Sequence, residues 1–210
     1  MADETLGSRD VGRFLSEFHD IAPAEQSAYA GRLKHISRQG FPTGVGTGRG
    51  NPARYDADQL FQMLTVTELG QFGVQPARAI KLVSESWPRL RKTVLQVWSS
   101  VEAADRGELV KVPSIFWSVP AEAQRHRARP DRAYSPDEAD VIRAMTANEV
   151  QETLAEEGRY NIRRLAFIAA HQVVADAFQL LKFGHLNWPH ERIASFMLSM
   201  TPASPPNVEP

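Results

Sequence analysis

The 210-residue chain is 42% hydrophobic and 23% charged with a formal net charge of −1, an ordinary globular composition. Such a length buries one good core or two small ones. It contains no Cys, which excludes disulfides, thiolate metal centres and cysteine nucleophiles.

No apolar run approaches the ~20 residues of a membrane-spanning helix. The acidic, polar start "MADETLGSRDVG" is unlike a signal peptide. A cytoplasmic protein without a membrane partner is expected.

In chain order, residues 9–19 place Val11, Phe14, Leu15 and Phe18 at helical spacing. "DIAPAEQ" reads as a turn and a fresh helix start, with Pro23 near a first-turn position. The next helix, about residues 24–39, carries Tyr29, Leu33 and Ile36 on one face and stops at Gly40. Glycines at 44, 46, 48 and 50 follow, flanked by extended pieces at 43–45 and 53–55, and predict a loose β-hairpin. Asp56 is placed to cap a helix whose apolar stripe includes Leu60, Phe61, Leu64 and Leu69 and which breaks at Gly73.

Two further helices are expected, one in "VQPARAIKLVSES" and one in "PRLRKTVLQVWSSVEAAD". "GELVKVPSIFWSVPA" is β-branched and aromatic and predicts one or two short strands. "EAQRHRARPDRAYSP" reads as a charged linker. Beyond it the pattern predicts helices over 136–157 and 160–183, a short amphipathic piece in "PHERIASFMLSM", and a disordered proline-rich tail from 201 to 210. The fold class expected is therefore mainly α.

Charge is partitioned. Arg32, Lys34, Arg38, Arg49 and Arg54 fall between Glu25 and Asp56 with no acid among them. From residue 133 onward there are six Arg or Lys against ten Asp or Glu. A concentrated run of cations attracts a polyanion.

Other chemistries find less support. The glycine run lacks the preceding apolar strand and following helix start of a nucleotide-binding loop. The six histidines (19, 35, 126, 171, 185, 190) show no i, i+4 pair within one helix, so no metal site is expected. His171 reads as either a buried, hydrogen-bonded imidazole or an interface residue. No catalytic constellation and no cofactor site stands out.

Three local patterns carry a resemblance. "LKHISRQGFPTG" has Arg38, Gly40, Phe41 and Pro42 where the recognition segment of MerR-type transcription regulators runs "ReGLlpP". "ARYDADQL", with Arg54, Tyr55 and Asp58, resembles that family's "RRYs-ed". "ELGQFGVQPARAIKLV", with Gly73 and Ile80, resembles its "reLGfsleeI-ell". His35 and Ile36 stand where the family commonly has two aromatic residues.

The resemblance covers residues 9–86 and implies a winged helix-turn-helix with a small β-hairpin wing. Residues 87–132 would then be a connecting helix, short strands and a basic linker. Residues 133–200 would be a helical domain for dimerisation or partner contact.

On this reading the outward face of the second helix meets base edges through Ser27, Ala28, Gly31, Arg32 and His35, while Lys34, Arg38, Arg49 and Arg54 clamp phosphates. Tyr55 is either a phosphate hydrogen-bond donor or a core anchor at the base of the wing. The cluster "RHRARPDR" at 125–132 is either a further backbone contact or a solvated linker. The helix over 160–183 is apolar on more than one side and is either a homodimer interface or a central core helix.

The expected function is sequence-specific binding of double-stranded DNA by a dimeric transcription regulator, with RNA polymerase or another protein as a further partner. An assembly protein with incidental DNA affinity is the alternative. A ligand sensor with a pocket lined by Trp98, Phe116, Trp117 and Phe178 is another.

Overall fold

The computed structural model describes residues 4–46, 52–119, 141–160 and 166–200, with backbone alone from 156 to 160. Arg49, the linker with its cluster at 125–132, and the tail from 201 lie outside the described residues. The fold is mainly helical with two small antiparallel sheets.

Strand β1 (Leu6–Gly7) leads directly into α1 (Ser8–Phe18), which buries Val11, Phe14 and Leu15. A tight turn and a 3-10 segment (Pro23–Glu25) connect to α2 (Gln26–Arg38). After Phe41 and Pro42, both buried, the chain returns as β2 (Arg54–Tyr55). Leu6 pairs with Tyr55 and Gly7 with Arg54. The hairpin expected between 43–45 and 53–55 is therefore corrected: among the described residues, β2 takes its partner from the N-terminus. Gly44 stands at φ +84 in a turn, which takes the chain out of the extended conformation that pairing would need.

The third helix, α3 (Ala57–Gln71), is the centre of the molecule. Its start is fixed by a reciprocal cap: the Gln59 amide donates to Asp56 Oδ1 at 2.8 Å, and the Asp56 amide donates to Gln59 Oε1 at 3.0 Å. Leu60, Phe61, Met63, Leu64, Val66 and Leu69 are all buried, as a helix apolar on every side requires. Thr65 and Thr67 are buried too, and donate their hydroxyls to carbonyls one turn back.

The two helices expected on either side of residue 87 are one element, α4 (Pro76–Asp105), with Pro88 inside it. An interior proline costs about 3 kcal/mol. Burial of Trp87, Leu90, Val94, Val97 and Trp98, at roughly 1.5–3 kcal/mol for each large side chain, outweighs it. α4 packs against α3 on one side and α6 (Ala170–Phe183) on the other.

Strand β3 (Ile115–Val119) turns Ile115, Trp117 and Val119 inward and lies between β4 (Arg143–Thr146) and β5 (Ala166–Ile168), antiparallel to both. Two expectations are corrected here. The helix predicted over 136–157 is β4 followed by α5 (Ala147–Tyr160), and the helix predicted over 160–183 contains β5 before α6. Of the apolar residues that made 160–183 look two-faced, Phe167 and Ile168 fall in the strand and Val174, Phe178 and Leu181 in the helix, while Ile162 and Leu165 lie outside the described residues. Val173, Val174, Ala177, Phe178 and Leu181 are covered inside the chain, where α6 meets α4, α1 and β3.

Last comes α7 (His190–Leu198), which buries Ile193, Phe196 and Met197 and packs on α3 and α6. The buried side chains form one contiguous cluster from Leu6 to Met200, and the boundary expected between residues 86 and 87 falls inside α4.

Candidate nucleic-acid interface

α2 is held from beneath. Tyr29 and Ile36 are each 4% exposed, and the Tyr29 hydroxyl donates to the Leu15 carbonyl at 3.4 Å. His19, at the end of α1, lies edge-on to the Tyr29 ring, with Nε2 2.9 Å from Thr67 Oγ1 and Nδ1 3.3 Å from Glu68 Oε1. Three helices thus meet through one polar knot. Burial pulls the His19 imidazole down to about 4, and burial raises the Glu68 carboxyl above its usual range. The contact between them is therefore that of a neutral imidazole rather than a full ion pair.

On the opposite side of α2, Ser27, Ala28, Gly31, Arg32, Lys34, His35 and Arg38 are all exposed. Ser27, Gly31, Lys34 and Arg38 follow one another at helical spacing along the middle of that face, with Ala28 and His35 beside them. Arg32 is on the flank, with its guanidinium carbon 5.5 Å from the centroid of the Tyr29 ring. The Gln39 amide nitrogen lies 2.9 Å from His35 Nε2 and donates to it, which leaves the other ring nitrogen for a partner. Arg54 is exposed on β2. Among the described residues, Lys34, Arg38 and Arg54 form no ion pair.

Two observations narrow the expected surface. Tyr55 is 4% exposed and opposite Leu6 in the sheet, so it anchors the core and is not a phosphate contact. Asp20 and Glu25 are exposed at the N-terminal end of α2, so the acid-free surface is its middle and C-terminal turns.

Gly31 has a feature that the fold does not explain. It is helix-interior and exposed, and a Cβ built there would meet nothing within 4 Å. Glycine in such a place costs about 1 kcal/mol relative to alanine, and no neighbour among the described residues requires it.

The other aromatic and ionic clusters join elements of the fold. Trp98 and Phe178, two of the four residues of the expected sensor pocket, stack edge to face at 5.2 Å, and Trp117 is fully buried. His171 has Nδ1 3.0 Å from the Ile115 carbonyl and donates to it, which ties α6 to β3. Lys182, His190 and Asp105 form a part-exposed ionic group between α4, α6 and α7.

Among the described residues no group of three or more His, Cys, Asp or Glu is arranged to hold a metal, and no helix is long and apolar enough to cross a membrane. Compared with known protein families, curated proteins and solved structures, the chain matches none.

The His19–Thr67–Glu68 knot was missed in the sequence because its members lie 48 residues apart. By contrast, the start of α5 carries a local sign in the sequence. In "TANE", Thr146 and Glu149 cap each other, with the Thr146 hydroxyl 2.8 Å from Glu149 Oε2.

Proposed function

We propose that this chain is a double-stranded-DNA-binding regulator that lays the middle and C-terminal turns of α2 against the duplex. Gly31 carries the reading. A helix glycine that nothing among the described residues needs, on a face with Lys34 and Arg38 and no acid among its described residues, makes sense if a second surface comes close there.

Gly31, Ser27 and Ala28 keep the face low enough to approach base edges, with His35 as a hydrogen-bonding group. Lys34, Arg38 and Arg54, and Arg49 from the glycine-rich segment, supply the phosphate contacts. Arg32 reaches from the flank. α1 and α4 pack against this element from behind. Retention of duplex fragments by the purified protein tests the reading, with Gly31→Leu as the variant that keeps every charge and fills the close-approach position.

A further inference from the structure

A groove of about 290 Å³ runs between α2 and the corner where α3 hands over to α4. Its walls are the Tyr29 ring, Leu33, Ile36, Val66, Val74 and Pro76. That volume stands at the small end of ligand pockets, about 300–1,000 Å³. Arg32 is the one charged residue among those lining it. Its guanidinium lies over the Tyr29 ring at the rim and forms no ion pair among the described residues.

Gly70 keeps the groove open. It stands in the last turn of α3, is exposed, and a Cβ there would meet nothing within 4 Å. A helix glycine costs about 1 kcal/mol against alanine, and packing does not demand this one.

We propose that the groove binds a small carboxylic acid with an apolar body. The body would replace water against Leu33, Ile36, Val66 and Val74, and the carboxylate would pair with Arg32 at the rim, where the charge and the fork of donors suit it. Arg32 belongs also to the flank of the proposed duplex-facing surface. On that reading, which this second step rests upon, an acid bound in the groove holds Arg32 away from DNA and weakens duplex binding reciprocally.

The test begins without DNA. The full chain is titrated with 3-phenylpropionate and separately with its amide, following melting temperature and calorimetric heat. Saturable binding of the acid at millimolar or lower concentration is expected, with the amide about tenfold weaker or worse. Arg32→Ala removes the preference for the acid, and Gly70→Leu, which fills the groove from an exposed helix position, abolishes binding of both.

Equal binding of acid and amide, no saturation at millimolar acid, or unaltered binding in Gly70→Leu overturns the proposal. Capture of an acidic, aromatic peptide with no binding of the free acid reassigns the groove to a protein partner and overturns it also. A second arm adds a retained duplex. Release by the acid and not by the amide supports the link to Arg32, whereas acid binding that leaves the duplex in place removes the link and keeps the ligand site. A chain that binds the acid but retains no duplex contradicts the proposed function alone.

Discussion

Asp58 on α3 and Arg91 on α4 stand 2.8 Å apart as an ion pair, and the other Asp58 oxygen accepts hydrogen bonds from the Trp87 indole and the Gln62 amide, each at 2.9 Å. One carboxylate therefore fixes the angle at which α4 crosses the central helix, next to the interior proline. Both members of the pair are part-exposed, so the charge attraction itself is screened. The larger loss on removal is the indole N–H left without an acceptor. Asp58→Ala is expected to cost about 1–3 kcal/mol, and Asp58→Asn less. Urea unfolding followed by tryptophan fluorescence measures both, and no change in either variant would remove this carboxylate from the account of the α3–α4 crossing.

Gly31 and Gly184 are expected to answer opposite ways to the same substitution. Gly31→Ala gains up to about 1 kcal/mol, because alanine is the better helix residue and its methyl meets nothing. Gly184→Ala drives its Cβ against the Leu180 side chain and into the Leu180 carbonyl, and the carbonyl, being backbone, cannot swing aside; the loss is about 1–3 kcal/mol. Thermal unfolding of the two variants checks the signs. A Gly31→Ala protein that is less stable than the parent means that the glycine serves the fold, and the argument for a close-approach surface goes with it.

His19 predicts a pH dependence. Its folded value of about 4 lies below the ~6.5 of an unfolded histidine, so between those two pH values the unfolded chain binds the extra proton. The stability tied to the neutral ring is present in full above pH ~6.5 and is lost as the pH falls toward ~4, by on the order of 3 kcal/mol. Glu68, raised by burial and then by Asp176, acts in the opposite sense and returns part of that loss as it protonates. His19→Gln keeps a polar group near Thr67 without the titration. Its unfolding free energy should fall less than the parent's between pH 7.5 and 5, and parallel curves would show that His19 is not the group responsible.

Ser199 ties the C-terminal end of the described chain to the base of the proposed interface. Its hydroxyl accepts from the Ala57 amide at 3.1 Å, at the first turn of α3 and two residues from β2. Ser199→Ala should lower stability by about 1 kcal/mol, and hydrogen exchange should accelerate at Ala57. Unchanged exchange there would mean that the cap from Asp56 holds the helix start without help from α7.

The parts of the fold that local chemistry dictates were readable from the sequence. Asp56 announced the start of α3, Gly40 ended α2, and the spacing of Val11, Phe14 and Leu15 gave the buried face of α1. What failed was decided by distant partners. Pro88 has the local signature of a break, yet Trp87 and Leu90 are buried against the rest of the core and carry the helix through it.

Residues 166–168 read as part of a helix over 160–183 until β3 is there to pair with them. Tyr55 could have faced either way, and its partner Leu6 lies almost fifty residues earlier. The site followed the same rule. The exposed face of α2 was visible in its helical period, but the flank position of Arg32 and the groove beneath it depend on where α3 ends.

The most direct measurement is duplex retention from a pool of genomic fragments under competitor DNA, read across a salt series for the parent, Gly31→Leu, Arg38→Ala and Asp58→Asn. The parent should enrich a defined set of fragments and lose affinity steeply with salt, by a log–log slope of about −0.9 for each phosphate contact. Arg38→Ala should weaken binding and flatten that slope by about one contact. Gly31→Leu should lose enrichment with the fold intact, and Asp58→Asn should bind as the parent does wherever it is folded. A folded parent that retains no fragment above background, or a Gly31→Leu protein that enriches the same set equally well, would contradict the placement of α2 against DNA.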